Sequence, residues 1–320
     1  MVVDLDHTLV HASSEIPSRA ELEEQRDEHF EHMDVFRIDI SALLAKLCRM
    51  NFVLVAFTQG ATTYARQILR ILDPRGAIFG TRLIAAPDCS ADRPIKTFAI
   101  VAETFKVEAH QILVLDDRVD VWGDIGAEEN RLRVIRVKPF LWFRGSNSVE
   151  AMRRIKQLHG VPVKAHLTMD FDDSKFIYLE RIGDLVVDIW HRSLLAPGKG
   201  LYAAARAIRR RVLEGKVLLM DRVGTPGCEL HIEATDAGAT LQTTLDDSTT
   251  CVVTSSLTAS AVLTKAMEKG TPVYKVEWLL ECLNRWEVID GEPYVPPFAS
   301  KPTRTSPRKK RRTGSITSNS

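Results

Sequence analysis

The 320-residue sequence has no apolar run near the ~20 residues that a bilayer-spanning helix needs, so no membrane span is expected. Cysteine is scarce: Cys48, Cys89, Cys228, Cys251 and Cys282 are odd in number, widely spaced and form no C-x-x-C pair. That spacing excludes a disulfide framework and a cysteine-rich zinc site, and it fits a reducing compartment. No basic segment followed by an apolar core opens the chain, so a cleavable signal peptide is not expected. A strong excess of either charge is also missing, since the formal net charge is +1. The balance is uneven along the chain. Residues 301–320 carry seven Lys/Arg and no acid, which leaves the first 300 residues at −6.

What is present is a repeated alternation of strand and helix patterns. An apolar start at Val2–Val3 runs into Asp4-Leu5-Asp6. Ile40, Leu43, Leu44 and Leu47 fall at helical spacing, and "NFVLVAFT" (51–58) reads as a buried strand. "GATTYARQILRILDP" reads as a helix stopped near Pro74. The strands "FGTRLIAAPD" and "HQILVLDD" flank a helix "IKTFAIVAETF", and "LRVIRVKPFLWF" closes the series. Such alternation predicts an α/β domain built on a parallel sheet. Residues 13–34 are acidic and read as a helical insertion, in which His29 and His32 face solvent. A long helix over 174–195 follows a weakly patterned connection. A second α/β unit starts near Ala203 with a helix carrying "RAIRRRVLEG" (206–215), then the strands "KVLLM" and "CVVTS", the helix "SAVLTKAMEKG", the strand "PVYK" and the helix "VEWLLECLNRW". Beyond Pro296 the chain is Pro/Ser/Thr/Lys/Arg and cannot bury enough apolar surface to fold.

In an open parallel sheet, reactive groups gather at the carboxyl ends of the strands. Four such places here carry polar residues: Asp4 and Asp6, Thr58, Lys96, and Asp116-Asp117. Taken singly, a D-x-D at a strand end or an adjacent Asp pair is usually a turn. Together and in this order they suit phosphoryl transfer. Asp4 can take a phosphoryl group as a carboxylate nucleophile. Asp6 can protonate the departing oxygen and then activate water. Crowded carboxylates repel one another, and Mg²⁺ relieves that repulsion while bridging to a phosphate oxygen. Thr58 and Lys96 can hold the non-bridging oxygens.

These residues carry a resemblance. D-x-D-x-T resembles the first motif of the haloacid-dehalogenase superfamily of aspartate-nucleophile phosphatases. "DLDHTLVHA" is similar to the branch that dephosphorylates the C-terminal domain of RNA polymerase II. Thr58, Gly60, Tyr64, Ala65 and Leu72-Asp73-Pro74 resemble that branch's second motif, "VLDDRVDVW" (114–122) its third, and "VKPFLWF" its closing strand. The resemblance implies a Rossmann-like parallel-sheet catalytic domain over 1–145. It implies Asp4 as nucleophile and Mg²⁺ ligand, Asp6 as acid/base with its carbonyl on the metal, and Asp117 as a further ligand. Thr58 and Lys96 would hold phosphate, Asp116 would orient Lys96, and Arg118 would contact substrate or order its loop. The form "DDR" suits the member that also carries a BRCT domain. The family's "RPGL" is replaced by Arg37-Ile38-Asp39-Ile40. The nucleophile's strand usually enters from further upstream, so either a very short strand or an incomplete N-terminus is expected.

The second unit resembles a BRCT domain, assigned to 204–296 with 146–203 as helical linker and 297–320 as basic tail. Trp278, Gly238 and Gly270 carry that likeness. Met220 and Val262 stand where phosphopeptide-binding members place a hydroxyl and a lysine, so a docking surface is expected instead. The implied protein is a nuclear phosphoprotein phosphatase acting on the phosphorylated polymerase tail. A general transcription factor would dock through the BRCT domain or the basic tail, with no membrane and no sequence-specific nucleic acid. Two other readings stay open: a haloacid-dehalogenase phosphatase for another phosphoprotein or a small phosphate ester, and an inactive BRCT scaffold.

Overall fold

The computed structural model describes residues 1–12, 34–36, 40–88, 95–140, 177–195 and 200–299. Residues 13–33 of the expected insertion, with His29 and His32, and the basic tail from 300 onward lie outside these residues. Asp34 is in a strand rather than a helix, and Phe298 and Ala299 of the expected tail pack on the core of the second unit. The first sheet contains β1 (Val2–Val3), β4 (Val55–Ala61), β5 (Leu83–Ala86), β6 (Val114–Asp116) and β7 (Val134–Arg136). Its order is β5-β4-β1-β6-β7, with every pairing parallel. Strand side chains alternate between the two faces. Val3, Leu54, Ala56, Leu113 and Leu115 enter one core, whereas Val2, Val55, Phe57, Ile112 and Val114 enter the other. Both faces are therefore covered, which is why the strands read as continuous apolar runs.

Helices α1 (Ile40–Arg49), α2 (Thr62–Leu72), α3 (Phe98–Phe105) and α4 (Glu128–Arg131) connect the strands. The strand expected from Asn51 begins only at Val55. Asn51 takes φ 61° and the Phe52 N–H donates to the Leu47 carbonyl at 3.1 Å, so these residues close α1 instead. A short antiparallel pair, β2 (Val10–Ala12) and β3 (Asp34–Phe36), follows the D-x-D turn and has no signature in the sequence pattern.

The second sheet has β8 (Val217–Asp221), β9 (Thr240–Gln242), β10 (Cys251–Thr254) and β11 (Val273–Lys275) in the parallel order β11-β10-β8-β9. Around it stand α7 (Glu229–Asp236), α8 (Ala261–Glu268) and α9 (Val276–Arg285). Trp278 is a core residue, as expected, and its indole N–H donates to the Ile289 carbonyl at 3.0 Å. The helix expected over Arg206–Gly215 runs instead over Gly200–Arg209 as α6. The chain leaves it because Leu213 N–H turns to the Ala237 carbonyl at 2.7 Å. Gly238 makes that crossing possible: at φ 96°, a Cβ there would lie 2.0 Å from the Arg210 carbonyl oxygen.

The long helix α5 (Ile177–Leu195) buries Leu179, Ile182, Val186 and Ile189 in a core shared by both units. It pairs with α1 through Lys46–Asp184 and with the end of α9 through Arg181–Glu287. The two units also meet directly through opposite charges. Arg131 binds Asp236 at 2.7 Å, Arg136 binds Glu233 at 2.7 Å, and Lys138 reaches Glu281 at 3.5 Å. Burial pushes Glu229 up to about 7, Glu233 adds to the rise and Arg136 opposes it. Removing one partner of a buried pair costs more than the pair itself contributes, because the other charge is stranded. We expect Arg136→Met to lower stability in urea by about 3 kcal/mol at pH 8. A carboxylate whose folded pKa is raised contributes stability at low pH that is lost as pH climbs through that pKa. The deficit should therefore shrink at pH 5.5. An equal deficit at both pH values would assign the loss to packing alone.

Candidate active site

Strand order reverses direction at β1, whose neighbours β4 and β6 lead to opposite edges. A crevice forms at such a point beyond the strand ends. A cavity of about 410 Å³ lies there. Asp4, Asp6, Thr58, Lys96, Asp116, Asp117 and Arg118, all seven residues singled out from sequence, line it.

Each is placed by a local cause. Asp4 leaves β1 as its N–H donates to the Leu115 carbonyl at 2.9 Å. The chain then reverses at His7, which takes φ 60° and donates its N–H to Val10 O at 2.7 Å. That tight turn sends Thr8 back toward β6, where its hydroxyl donates to Asp117 Oδ1 at 3.3 Å and accepts the Asp117 N–H at 3.0 Å. Thr58 sits where the β4–β5 register shifts, between Phe57 and Ala61, a bulge that re-aims side chains. Its hydroxyl donates to Asp6 Oδ2 at 3.1 Å. The Tyr64 hydroxyl, in the first turn of α2, donates to Asp6 Oδ1 at 2.5 Å. Gly60 allows this reach, since a Cβ there would stand 3.0 Å from Tyr64 Cδ1.

Lys96 is 1% exposed and is carried by a bridge to Trp122 rather than by a helix start. Its Nζ lies 2.5 Å from Asp4 Oδ1 and 2.7 Å from Asp116 Oδ2. The rings of Phe57 and Trp122, packed edge to face 5.8 Å apart, stand on one side of it at 5.6 and 6.0 Å. Asp116 is fully engaged, because Oδ2 also accepts the Trp122 indole N–H at 2.9 Å and Oδ1 accepts the Arg118 N–H at 2.9 Å. The Arg118 guanidinium turns away to Asp120, at 3.2 and 2.5 Å.

Electrostatically the cavity is short of positive charge. Burial pushes Asp4 up to about 7; Lys96 pulls it back, and Asp116 and Asp6 raise it again. Burial also holds Asp117 well above the usual carboxylate range, reinforced by Asp116 and Asp4. For Lys96, burial alone would lower the ammonium, but Asp116 and Asp4 prevail and hold it above its ordinary value. Carboxylate oxygens of Asp4, Asp116 and Asp117 lie within 4.8 Å of one another. An all-oxygen, strongly anionic donor set of this kind fits a hard divalent cation. Sequence reasoning missed three contacts: Tyr64 on Asp6, Trp122 on Asp116 and Thr8 on Asp117. All three residues fall within the quoted motifs, and that was the available signal.

Sheet order, switch-point cavity and carboxylate cluster together define a haloacid-dehalogenase-like α/β fold, here joined to a BRCT domain. Residues 1–164 match the NLI interacting factor-like phosphatases and residues 212–283 the BRCA1 C Terminus (BRCT) domain, so the chain belongs to the NLI interacting factor-like phosphatase family. An RNA polymerase II C-terminal domain phosphatase of Caenorhabditis elegans is 24% identical over 91% of this chain and 44% of its own length. The RNA polymerase II C-terminal domain phosphatase-like 3 of Arabidopsis thaliana is 25% identical over 87% of this chain and 24% of its own. The chain thus spans less than half of either relative. The solved structure of Fcp1, an essential RNA polymerase II CTD phosphatase, shares the fold with a TM-score of 0.65 at 22% identity, over 92% of this chain and 95% of that one. The fission yeast RNA polymerase II CTD phosphatase Fcp1 bound to beryllium fluoride aligns at the same TM-score of 0.65 with 19% identity, over 92% and 94%.

Proposed function

We propose that this chain is a Mg²⁺-dependent protein serine/threonine phosphatase that removes phosphate from phosphoserine in the repeats of the RNA polymerase II C-terminal domain, in the nucleus. The observation that carries the reading is the convergence of Asp4, Asp6, Thr58, Lys96 and Asp117 on one cavity. Asp4 attacks the phosphorus, the bond to the serine oxygen breaks, and an aspartyl phosphate forms. Asp6 gives its proton to the departing oxygen. It then takes a proton from the water that attacks the phosphorus, and Asp4 is released as carboxylate along with inorganic phosphate. Tyr64 holds the Asp6 carboxyl in place for both steps, while the Thr58 hydroxyl, which donates to Asp6 without substrate, turns to a phosphoryl oxygen when substrate binds. Lys96 and the Thr58 hydroxyl stabilise charge on the phosphoryl oxygens. Asp4 and Asp117, with the Asp6 carbonyl, would hold Mg²⁺, which supplies charge neutralisation and polarises the phosphoryl group. Asp116, whose oxygens are taken by Lys96, Trp122 and Arg118, orients Lys96. Arg118 orders its loop through Asp120. Beryllium fluoride, a tetrahedral stand-in for phosphoryl, is bound by a protein of the same fold, which supports this assignment.

The BRCT domain is assigned to docking a general transcription factor, with the tail as an alternative docking segment and import signal. Met220 is half-buried in β8 and Val262 is 41% exposed on α8; neither offers a side-chain donor to a phosphate. The test compares rates on a phosphoserine repeat peptide, a sugar phosphate and an aryl phosphate, each with Mg²⁺ and with chelator. Peptide preference that disappears with chelator is expected. Equal or better hydrolysis of the sugar phosphate would overturn the substrate assignment.

A further inference from the structure

The cavity that holds Asp4 does not end at the reacting residues. It is lined at one side by Ala61 and Ala86. The next residues, Thr62 and Ala85, already line a second cavity of about 870 Å³. The Thr62 hydroxyl donates to the Ala86 carbonyl at 2.8 Å and ties the two rims together. The second cavity follows β5, an edge strand of the sheet. Its ladder to β4 uses the Arg82 carbonyl, which accepts the Ala56 N–H at 3.0 Å, and register pairs Ala56 with Leu83. By alternation, the Leu83 carbonyl and the Ala85 N–H turn to the open side. Edge strands with open backbone groups are templates for an added extended chain.

The wall above this edge is basic. Arg66 and Arg70 stand one turn apart on the exposed face of α2, and exposed Arg75 follows the helix; all three line the cavity. Among the described residues, none of the three makes an ion pair within 4 Å, although the Thr63 hydrogen bonds that lower the Asp88 carboxyl are helped by Arg66 close by. The nearby acids are engaged. Asp73 accepts the N–H groups of Ala77, Ile78 and Phe79 at 2.7–2.8 Å, and Asp88 accepts the Thr63 N–H at 2.8 Å and hydroxyl at 2.5 Å. Arg82 is spent on the Leu54 and Ile78 carbonyls, at 2.8 and 2.6 Å.

We propose that the open edge of β5 and the arginine row of α2 form a docking groove for an extended peptide carrying a second phosphate besides the one being removed. This rests on the phosphoprotein reading of the active site and goes beyond it by naming multiply phosphorylated peptides as the preferred class. Backbone pairing with β5 holds the chain whatever its sequence, and arginine forks read the distal phosphate. The geometry sets a spacing. A helix rises about 1.5 Å per residue, so Arg66 and Arg70 lie about 6 and 12 Å beyond Thr62. β5 also stands two strand spacings, about 10 Å, from β1, so the straight reach from the reacting serine is about 11–15 Å, which an extended peptide at about 3.3 Å per residue covers in about three to five residues.

The test measures binding to the full chain carrying Asp4→Asn, using fluorescein-labelled peptides with no phosphoserine, one, or two placed three residues apart. The second phosphate should tighten binding by about tenfold or more. Arg66→Glu/Arg70→Glu/Arg75→Glu should erase that gain and leave the one-phosphate peptide within about twofold. Arg70→Glu alone, in a chain with an unchanged melting temperature, should lose part of it. An unchanged gain in the triple variant overturns the groove. So does tighter binding of a single-stranded oligonucleotide of matching charge. The two readings fail separately. If the gain and its loss appear while the active chain hydrolyses neither phosphopeptide, the groove stands and the phosphatase assignment falls. If the triple variant hydrolyses the two-phosphate peptide with unchanged kcat/KM, the groove falls and the assignment stands.

Discussion

Asp4→Asn should lower turnover of a phosphoserine peptide and of an aryl phosphate alike, by at least about ten-thousandfold, the scale seen when a nucleophile is removed. The substitution keeps shape and volume but replaces the carboxylate with a weakly nucleophilic amide that cannot form the acyl phosphate. The chain should still fold. Asp4 is buried with its pKa pushed up to about 7, chiefly by burial. Its negative charge is therefore a cost to the metal-free fold that grows as pH rises through that value. A neutral amide removes this cost, so the metal-free variant should melt no lower than wild type at pH 8 and should gain less from added Mg²⁺. Asp6→Asn makes the contrast. A serine alkoxide leaves poorly without a proton, so the peptide rate should fall by about 10²–10⁴. A phenolate leaves unaided, so aryl phosphate should still phosphorylate Asp4, and the phosphoenzyme should accumulate as a burst because water lacks its base. Matching residual rates for Asp4→Asn and wild type would remove Asp4 from the chemistry.

The difference between these two aspartates is only partly legible in the sequence. The motif order places Asp4, Asp6, Thr58, Lys96 and Asp116-Asp117 at strand ends, and the parallel sheet follows from the alternating pattern. Which residue touches which does not follow. Lys96 meets Asp4 from 92 positions away and Tyr64 meets Asp6 from 58. Those meetings depend on strand order and on the irregularity between Phe57 and Ala61, neither of which has a local signature. The same holds for the seam between the units. Glu229, Glu233 and Asp236 form an i, i+4, i+7 stripe on α7, and such a stripe normally faces water. Here it meets Arg131 and Arg136, because strand β7 ends against it. The sequence pattern places helix α6 too far along the chain, because the run Arg209–Arg211 looks like the exposed face of a continuing helix. Arg209 is instead buried, 6% exposed, with its guanidinium 4.8 Å from the Trp286 ring.

Lys96→Met should be the most damaging substitution for stability, and its pH dependence should identify why. The ammonium is buried against the packed pair Phe57 and Trp122 and binds both Asp4 and Asp116. A methionine fills the same slot, so packing is kept and only the charge is lost. What remains is a cluster of buried carboxylates whose strongest cation has gone, a situation that costs about 3–5 kcal/mol. Asp4 and Asp117 are already raised while Lys96 is present, and without it both rise further. The sign is then fixed. Groups with raised folded pKa values favour the folded state at low pH, and that contribution is lost as pH climbs through them. Melting curves in chelator should place the variant close to wild type near pH 5 and far below it at pH 8. Added Mg²⁺ should recover part of the loss at pH 8 only, because protons occupy the same oxygens at pH 5. Turnover should stay down by about 10²–10³ even where the fold is recovered, because the charge facing the phosphoryl oxygens is missing. Arginine should not substitute: Lys96 is 1% exposed, and a bulkier planar fork cannot present a single point charge to both carboxylates there. A deficit in stability that is the same at pH 5 and pH 8 would mean that Lys96 contributes by filling space, and the electrostatic account of the cavity would fail.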